Sequence, residues 1–257
     1  MSEDLSTALA DAFAAVTADP DGDHSPWTTL APVYEATTRT ADDHWTERVR
    51  LVDAHLPVGA GETASEVAPL LDVSCGTGGL LSRLERPAVG LDDRPSLLPY
   101  ARRRVGGPVV AGDPTGPPVP SDAAIAGVAL GYATARHPAT EVLAALADAV
   151  TPDGGVVVDA ATEPRAVLDD DHEGAAGGYR FRRSVVAGRV RDDRAEMGVE
   201  YTLTAPDGRE TETTRHRSVR LYDRGSLRRG AEAAGLEAVT VEPGPDGGSL
   251  VVEGRAL

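Results

Sequence analysis

Residues 70–81, LLDVSCGTGGLL, set a carboxylate, two hydroxyls, a thiol and three glycines in and directly after an apolar run. An apolar strand that passes into small residues and then a helix turns backbone N–H groups and the positive helix end toward whatever lies beyond it. Gly76 and Gly78 let a ligand approach that backbone closely. Asp92 closes the next apolar run, 20 residues after Asp72, a spacing at which a carboxylate can accept both hydroxyls of a ribose. Alone, Asp92 reads equally as a solvated strand-end acid, but the two glycines point to the same cavity. The expected chemistry is the holding of a nucleoside. The glycines do not choose the cofactor: for the dinucleotide pattern G-x-G-x-x-G/A, the sixth position from Gly76 is Leu81, and counting from Ser74 the first glycine is missing.

His137 follows the fourth apolar run, where an open parallel sheet carries its substrate-facing groups. It is a candidate general base; its plainer reading is a residue at a helix start. The six His residues have no H-E-x-x-H or other ligand spacing, and Cys75 is the only cysteine, so neither a metal site nor a disulfide is expected. Cys75 reads as a small filler of the loop. Arg102, Arg103 and Arg104 sit where a helix ends and complement its dipole.

Around these residues, short apolar runs alternate with helical stretches from Pro69 to Val158, the pattern of a parallel sheet built from βαβ units. The expected strands are 70–73, 88–91, 109–112, 124–130 and 156–160, with a helix over 139–150 that ends at a Pro/Gly turn, 151–155. Pro99 falls inside the second core helix and predicts a kink. Ahead of the core lie an acidic N-terminus over 1–24, with at most a short helix and loose ordering, and a helical cap over 25–68. After a loop, 164–178, the period becomes two: Met197, Val199, Tyr201 and Leu203 alternate with polar or small residues. Flanked by 179–191 and 209–221, this reads as a three-stranded antiparallel insert within a region 164–224. A helix near 226–234 and a hairpin complete the core over 225–257.

The chain has 257 residues, 41 acidic and 25 basic, for a net charge of −16, and all 25 basic residues are Arg. Lys, Asn and Gln do not occur. Such a carboxylate load suits concentrated salt, where screening removes the self-repulsion that destabilises a charged compact state; a halophilic, haloarchaeal origin is expected. No apolar run approaches 18 residues and the start, MSEDLSTALADAF, lacks a basic n-region, so a cytoplasmic protein without membrane contact is expected. Residues 179–229 reverse the sign, with 13 Arg against 8 acids. That patch either covers the carboxyl end of the sheet and binds an anionic acceptor, or meets an acidic face in a homodimer, or is neutralised internally through Arg215, Arg217 and Arg220. The overall charge opposes nucleic acid outside the insert.

From Trp27 to its end the chain resembles the class I S-adenosylmethionine-dependent methyltransferases of the small-molecule kind, similar to methyltransferase domain 25. Asp72–Gly78 resembles the family's D-x-G-x-G-x-G motif with Ser74 at the first glycine, Gly90-Leu91-Asp92 with Ala101-Arg102 its second motif, and Gly112-Asp113 the G-D whose acid contacts adenine. Residues 151–155 resemble its P-G-G turn, and Leu30–Tyr34 the segment whose Tyr closes over the cofactor. The resemblance implies a Rossmann-like, doubly wound seven-stranded sheet with an antiparallel last strand. It implies S-adenosyl-L-methionine as cofactor, held by Tyr34, Asp72, Ser74, Cys75, Gly76, Thr77, Gly78, Asp92, Asp93, Asp113, Pro114, Leu130 and Tyr132, and a methyl acceptor that is a small molecule with an N, O or C nucleophile. The ending, Gly244–Leu250, is similar to the amino-sugar N-methyltransferases. The alternative is a catalytically silent nucleoside-binding or regulatory module of the same fold.

Overall fold

Five short apolar runs form the parallel strands of one sheet in the computed structural model, which describes residues 2–56, 69–119, 124–130, 133–163, 171–245 and 247–257, without the side chains of 2–4, 42 and 125. They are β1 (Leu70–Val73), β2 (Ala88–Asp92), β3 (Val109–Ala111), β4 (Ala124–Ala129) and β5 (Val150–Ala161). A terminal hairpin, β10 (Leu236–Pro243) and β11 (Ser249–Ala256), adds β11 antiparallel to β5, giving the order β10-β11-β5-β4-β1-β2-β3. The expected Pro/Gly turn at 151–155 is instead a bulge inside β5: Ala124 faces Val150, and the next partners are Ala126 and Gly155. Residues 151–154 are thereby looped out of the ladder, with Asp153 at φ 63°.

Both faces are covered. On one, α6 (Ala139–Ala149) and α7 (Arg224–Ala233) bury Val142, Leu143, Leu146 and Leu227 on Val156, Val158 and Val252. On the other, α3 (Asp42–His55) sets Val52 on Leu70, Val128 and Val157. Asp223 caps α7 by accepting the Ser226 amide at 2.8 Å, and Gly235 ends it at φ 82°. The second core helix, α4 (Leu98–Arg104), starts at Leu98, so Pro99 lies in its first turn and no kink arises.

Downstream of β5 stands a separate antiparallel sheet, β6 (His172–Ala176), β7 (Tyr179–Arg191), β8 (Arg194–Thr204) and β9 (Glu210–Arg220). It has four strands where the periodicity of the sequence gives three. The missed strand, HEGAA, has no β-branched or aromatic residue and is held on the sheet's edge by the ladder to β7, through a turn with Gly177 and Gly178 at φ 57° and 85°. The apolar face of β8 is buried, and what covers it belongs to the same chain. Leu5, Leu9, Phe13 and Val16 of α1 (Ser2–Ala18), with Leu30 and Val33 at the start of α2 (Ala31–Thr40), pack on Met197, Val199, Tyr201 and Leu203. Each such burial is worth roughly 1.5–3 kcal/mol, so α1 is a packed helix of 17 residues where the sequence suggests a short, loose one. A second copy of the chain is not needed to cover that face. Among the described residues, no helix is long and apolar enough to cross a membrane and no group of His, Cys, Asp and Glu is placed to hold a metal.

Candidate active site

The loop after β1 alternates left-handed residues: Ser74 at φ 66°, Gly76 at 58° and Gly78 at 79°. This conformation costs a residue with a Cβ about 1–2 kcal/mol, so only Ser74 among the three is strained. In place of the expected helix, the chain continues through a run of turns and a 3₁₀ turn, Leu81–Arg83; no macrodipole forms, and single N–H groups do the positioning. Cys75 N donates to Leu91 O at 2.9 Å and Gly76 N to Asp92 Oδ2 at 2.8 Å, tying the loop to the end of β2. A Cβ on Gly76 would lie 3.2 Å from the Tyr34 hydroxyl of α2, and one on Gly79 would strike the Trp45 ring of α3. The glycines therefore admit cap residues to the loop. Thr77 is buried with its hydroxyl lacking a hydrogen-bond partner among the described residues.

Beyond the loop opens a cavity of about 430 Å³. Asp72, Ser74, Cys75 and Leu130 line it from the sheet, and Tyr34, Thr38, Trp45 and Arg48 from α2 and α3. Asp159 closes it at the end of β5, and His172, Arg183, Met197 and Arg217 form the wall on the four-stranded sheet. The insert thus covers the carboxyl end of the main sheet. Its arginines divide between two roles. Arg215 donates to His24 O at 2.8 Å and Arg220 faces Asp193 at 3.6 Å, which is internal pairing, whereas Arg217 reaches the cavity and lies 5.7 Å from the Trp27 ring.

Electrostatically the cavity is divided. Burial, then the charge of Asp92, pushes the Asp72 carboxyl well above the usual aspartate range, and Arg48 offsets this only in part. Burial, followed by Asp72 and Asp92, likewise pushes the Cys75 thiol up, which disfavours the reactive thiolate form. Arg48 donates to Asp159 Oδ2 at 2.7 Å across 111 residues of sequence, a pair that sequence reading misses although it places both residues in a helix and a strand. Trp45, His172 and Arg183 are not singled out by the sequence either, whereas Arg217 belongs to the basic patch it marks; for His172 the Gly177-Gly178 hairpin is the available signal.

The remaining expected site residues lie elsewhere. Asp92 is fully buried and all of its acceptor capacity is used within the chain. Besides Gly76 N, its Oδ1 accepts Arg94 N at 2.9 Å and Arg94 Nε at 2.7 Å, and its Oδ2 accepts Arg94 Nη2 at 2.7 Å. Trp27 covers the Arg94 guanidinium at 4.4 Å, and the Ser96 hydroxyl donates to Trp27 O. Arg94 thus occupies both oxygens of the carboxylate expected to accept a ribose, and neither residue is among those lining the cavity. Asp93 forms a bidentate pair with Arg136, 2.7 Å in each bond. His137 Nε2 stands 3.7 Å from Asp93 and outside the cavity lining, which does not favour it as the base. Asp113 is exposed and accepts the amide and hydroxyl of Thr115, which hold its carboxyl below the usual range; Pro114 beside it is buried. Tyr132 lies outside the described residues.

This arrangement of sheet and insert has solved counterparts. Streptomyces venezuelae DesVI shares 21% identity over 92% of this chain and 100% of its own, with a TM-score of 0.72. The fold is that of a class I methyltransferase. CalS10, an amino pentose methyltransferase from Micromonospora echinaspora solved with S-adenosylmethionine, aligns at 23% identity over 87% of this chain and 97% of its own, TM-score 0.67. The sugar N-methyltransferase KedS8 from Streptoalloteichus aligns at 21% over 87% and 92%, TM-score 0.68. No family model and no curated protein matches the sequence, so the likeness is one of fold.

Proposed function

We propose that the protein transfers a methyl group from S-adenosylmethionine to a small-molecule acceptor, an amine on a sugar. The observation that carries this is the two-walled cavity, with the Asp72–Cys75 loop of a methyltransferase fold on one side and His172, Arg183, Met197 and Arg217 of the four-stranded sheet on the other. The loop fits the cofactor: left-handed residues at the alternate positions 74, 76 and 78 bare the backbone, and a buried Thr77 hydroxyl lacks a partner among the described residues. Asp92 fits only once Arg94 leaves its carboxylate. Asp72, Ser74, Cys75, Leu130 and Tyr34 would hold the cofactor beside the cavity, with Gly76, Thr77 and Gly78 behind them. Bound, the cofactor supplies a methyl already activated on a sulfonium.

The chain's own task is then alignment in a site closed to water. Arg183, Arg217 and His172 seat the acceptor, and the surplus of guanidinium groups there favours one with an anionic part. Asp159, oriented by Arg48, and His172 are the wall groups able to take a proton from an amine. The amino-sugar acceptor is drawn from CalS10 and KedS8, described as amino pentose and sugar N-methyltransferases. One observation favours the silent, nucleoside-binding reading instead: Arg94 fills the ribose carboxylate. Incubation with S-adenosylmethionine and a panel of nucleotide-linked amino sugars, with S-adenosylhomocysteine measured by mass spectrometry, separates the two. Acceptor-dependent product, with a raised acceptor KM in Arg217→Ala and unchanged cofactor affinity, is expected; cofactor binding with no product from any acceptor leaves the silent module.

A further inference from the structure

A second cavity, of about 390 Å³, lies between α2, α4 and the 3₁₀ turn and, among the described residues, shares no lining residue with the first. Arg39, Arg83, Arg103 and Arg104 surround it, four guanidinium groups gathered in a chain of net charge −16, with Tyr100 beneath Arg103 at 5.0 Å. On its lining is Glu35, 1% exposed. Two of the arginines converge on one oxygen of that carboxylate: Arg39 Nε at 2.7 Å and Arg104 Nη2 at 2.6 Å both donate to Oε1. Oε2 is buried and has no hydrogen-bond partner among the described residues. A glutamate placed only to pair with Arg39 of its own helix and Arg104 of α4 would use both oxygens, one for each arginine. Here one is doubly occupied and the other is left bare in a residue that lines an open volume, although a buried acceptor without a donor is unfavourable.

We propose that this cavity is a second ligand site, for a small anion that also carries a hydroxyl. The anionic group, phosphate or carboxylate, matches the planar donors of Arg83 and Arg103. The hydroxyl donates to Glu35 Oε2, the bond left unmade among the described residues. An ammonium in that place would meet the Arg39 and Arg104 charges on the same carboxylate, and a metal cation would meet four guanidinium groups; a neutral donor on an anionic molecule avoids both. The site has a mechanical connection to the first cavity. Glu35 and Arg39 are on α2, whose Tyr34 packs against Gly76, and a ligand that fastens α2 to α4 holds Tyr34 in that place. Ligand and cofactor should therefore strengthen each other's binding by the same factor. This coupling rests on the methyltransferase reading; the binding itself does not.

The test uses glycerol 3-phosphate, inorganic phosphate and glycerol as probes, titrated calorimetrically into the full chain in KCl. Glycerol 3-phosphate should bind one per chain and at least about tenfold more tightly than either of the others. The Arg83→Ala/Arg103→Ala double variant should weaken it by about tenfold or more, while Arg183→Ala in the first cavity leaves it unchanged. Glu35→Gln should abolish the preference over inorganic phosphate; if that variant does not fold, the double variant, altered on the rim, decides. No saturable binding, binding indifferent to the double variant, loss in Arg183→Ala instead, or equal affinity for inorganic phosphate would each overturn the proposal. S-adenosylhomocysteine titrated with and without the probe reads the coupling separately.

Discussion

Replacing Arg94 by alanine should tighten cofactor binding while weakening the free protein. Arg94 is 5% exposed and gives Asp92 three of its four hydrogen bonds; the guanidinium supplies two of them, at both carboxylate oxygens. A ribose held by Asp92 needs those same oxygens, so binding includes the work of releasing the guanidinium from Asp92 and from under Trp27. Removing one partner of a buried ion pair costs about 3–5 kcal/mol because the other charge is stranded. The ribose hydroxyls return part of this to Asp92, through bonds to a charged acceptor worth roughly 1.5–3 kcal/mol each, and Arg94 regains water, so a net displacement cost near 2 kcal/mol is reasonable. That corresponds to about 30-fold in Kd. In Arg94→Ala the competitor is gone: S-adenosylhomocysteine should bind about 30-fold more tightly by calorimetry, and the ligand-free melting temperature should fall by about 6–12 °C for a loss near 3 kcal/mol. The reasoning fails if Arg94→Ala binds the cofactor product no better or more weakly. That result would mean that the guanidinium is itself a contact, made through Nη1, which is buried without a hydrogen-bond partner among the described residues.

Three further outcomes are expected. The raised Asp72 value means that the folded state holds this proton more tightly than the unfolded one, so stability falls as pH rises from about 4 through the folded value and stays low above it. Asp72→Asn should therefore melt higher than wild type near neutral pH and lose that advantage toward pH 4 in thermal scans; a constant offset would contradict the assignment. Ser74→Gly, which relieves a residue held at φ 66°, should gain roughly 0.5–1 kcal/mol after the extra chain entropy of glycine is deducted. A lower urea midpoint would show instead that the Ser74 hydroxyl secures the loop. At a net charge of −16, raising KCl from 0.1 M to 1 M, which shortens the screening length from about 10 Å to about 3 Å, should raise the melting temperature; a flat response would count against salt adaptation.

Much of the architecture is legible along the chain because its signals are local. Apolar runs bounded by Gly and Pro mark β1, β2, β4 and β11, and the period of two marks β8, since side-chain direction repeats within a few residues. Signals also fail locally where two structures share one composition. HEGAA lacks every usual mark of a strand yet becomes β6, and Thr151–Gly154 carries turn chemistry yet is a bulge within β5. Pro99 misleads for a finer reason: a shift of the helix start by a few residues turns a helix breaker into a first-turn residue.

The sequence by itself determined the layers and the order of elements around the β1 loop, and it singled out the short stretch on which the proposed nucleoside site falls. Its charge excess also marked the insert as a distinct surface. Only the tertiary structure decided what each charged group faces. Arg48 meets Asp159, Arg217 joins the cavity while Arg215 and Arg220 do not, Arg94 takes the carboxylate expected to be open, and His137 turns to Asp93. The physical reason is that strand and helix formation depend on neighbours a few residues away, whereas a buried charge takes its partner from whatever the closed fold brings within about 3 Å. Spacing along the chain holds no record of that distance.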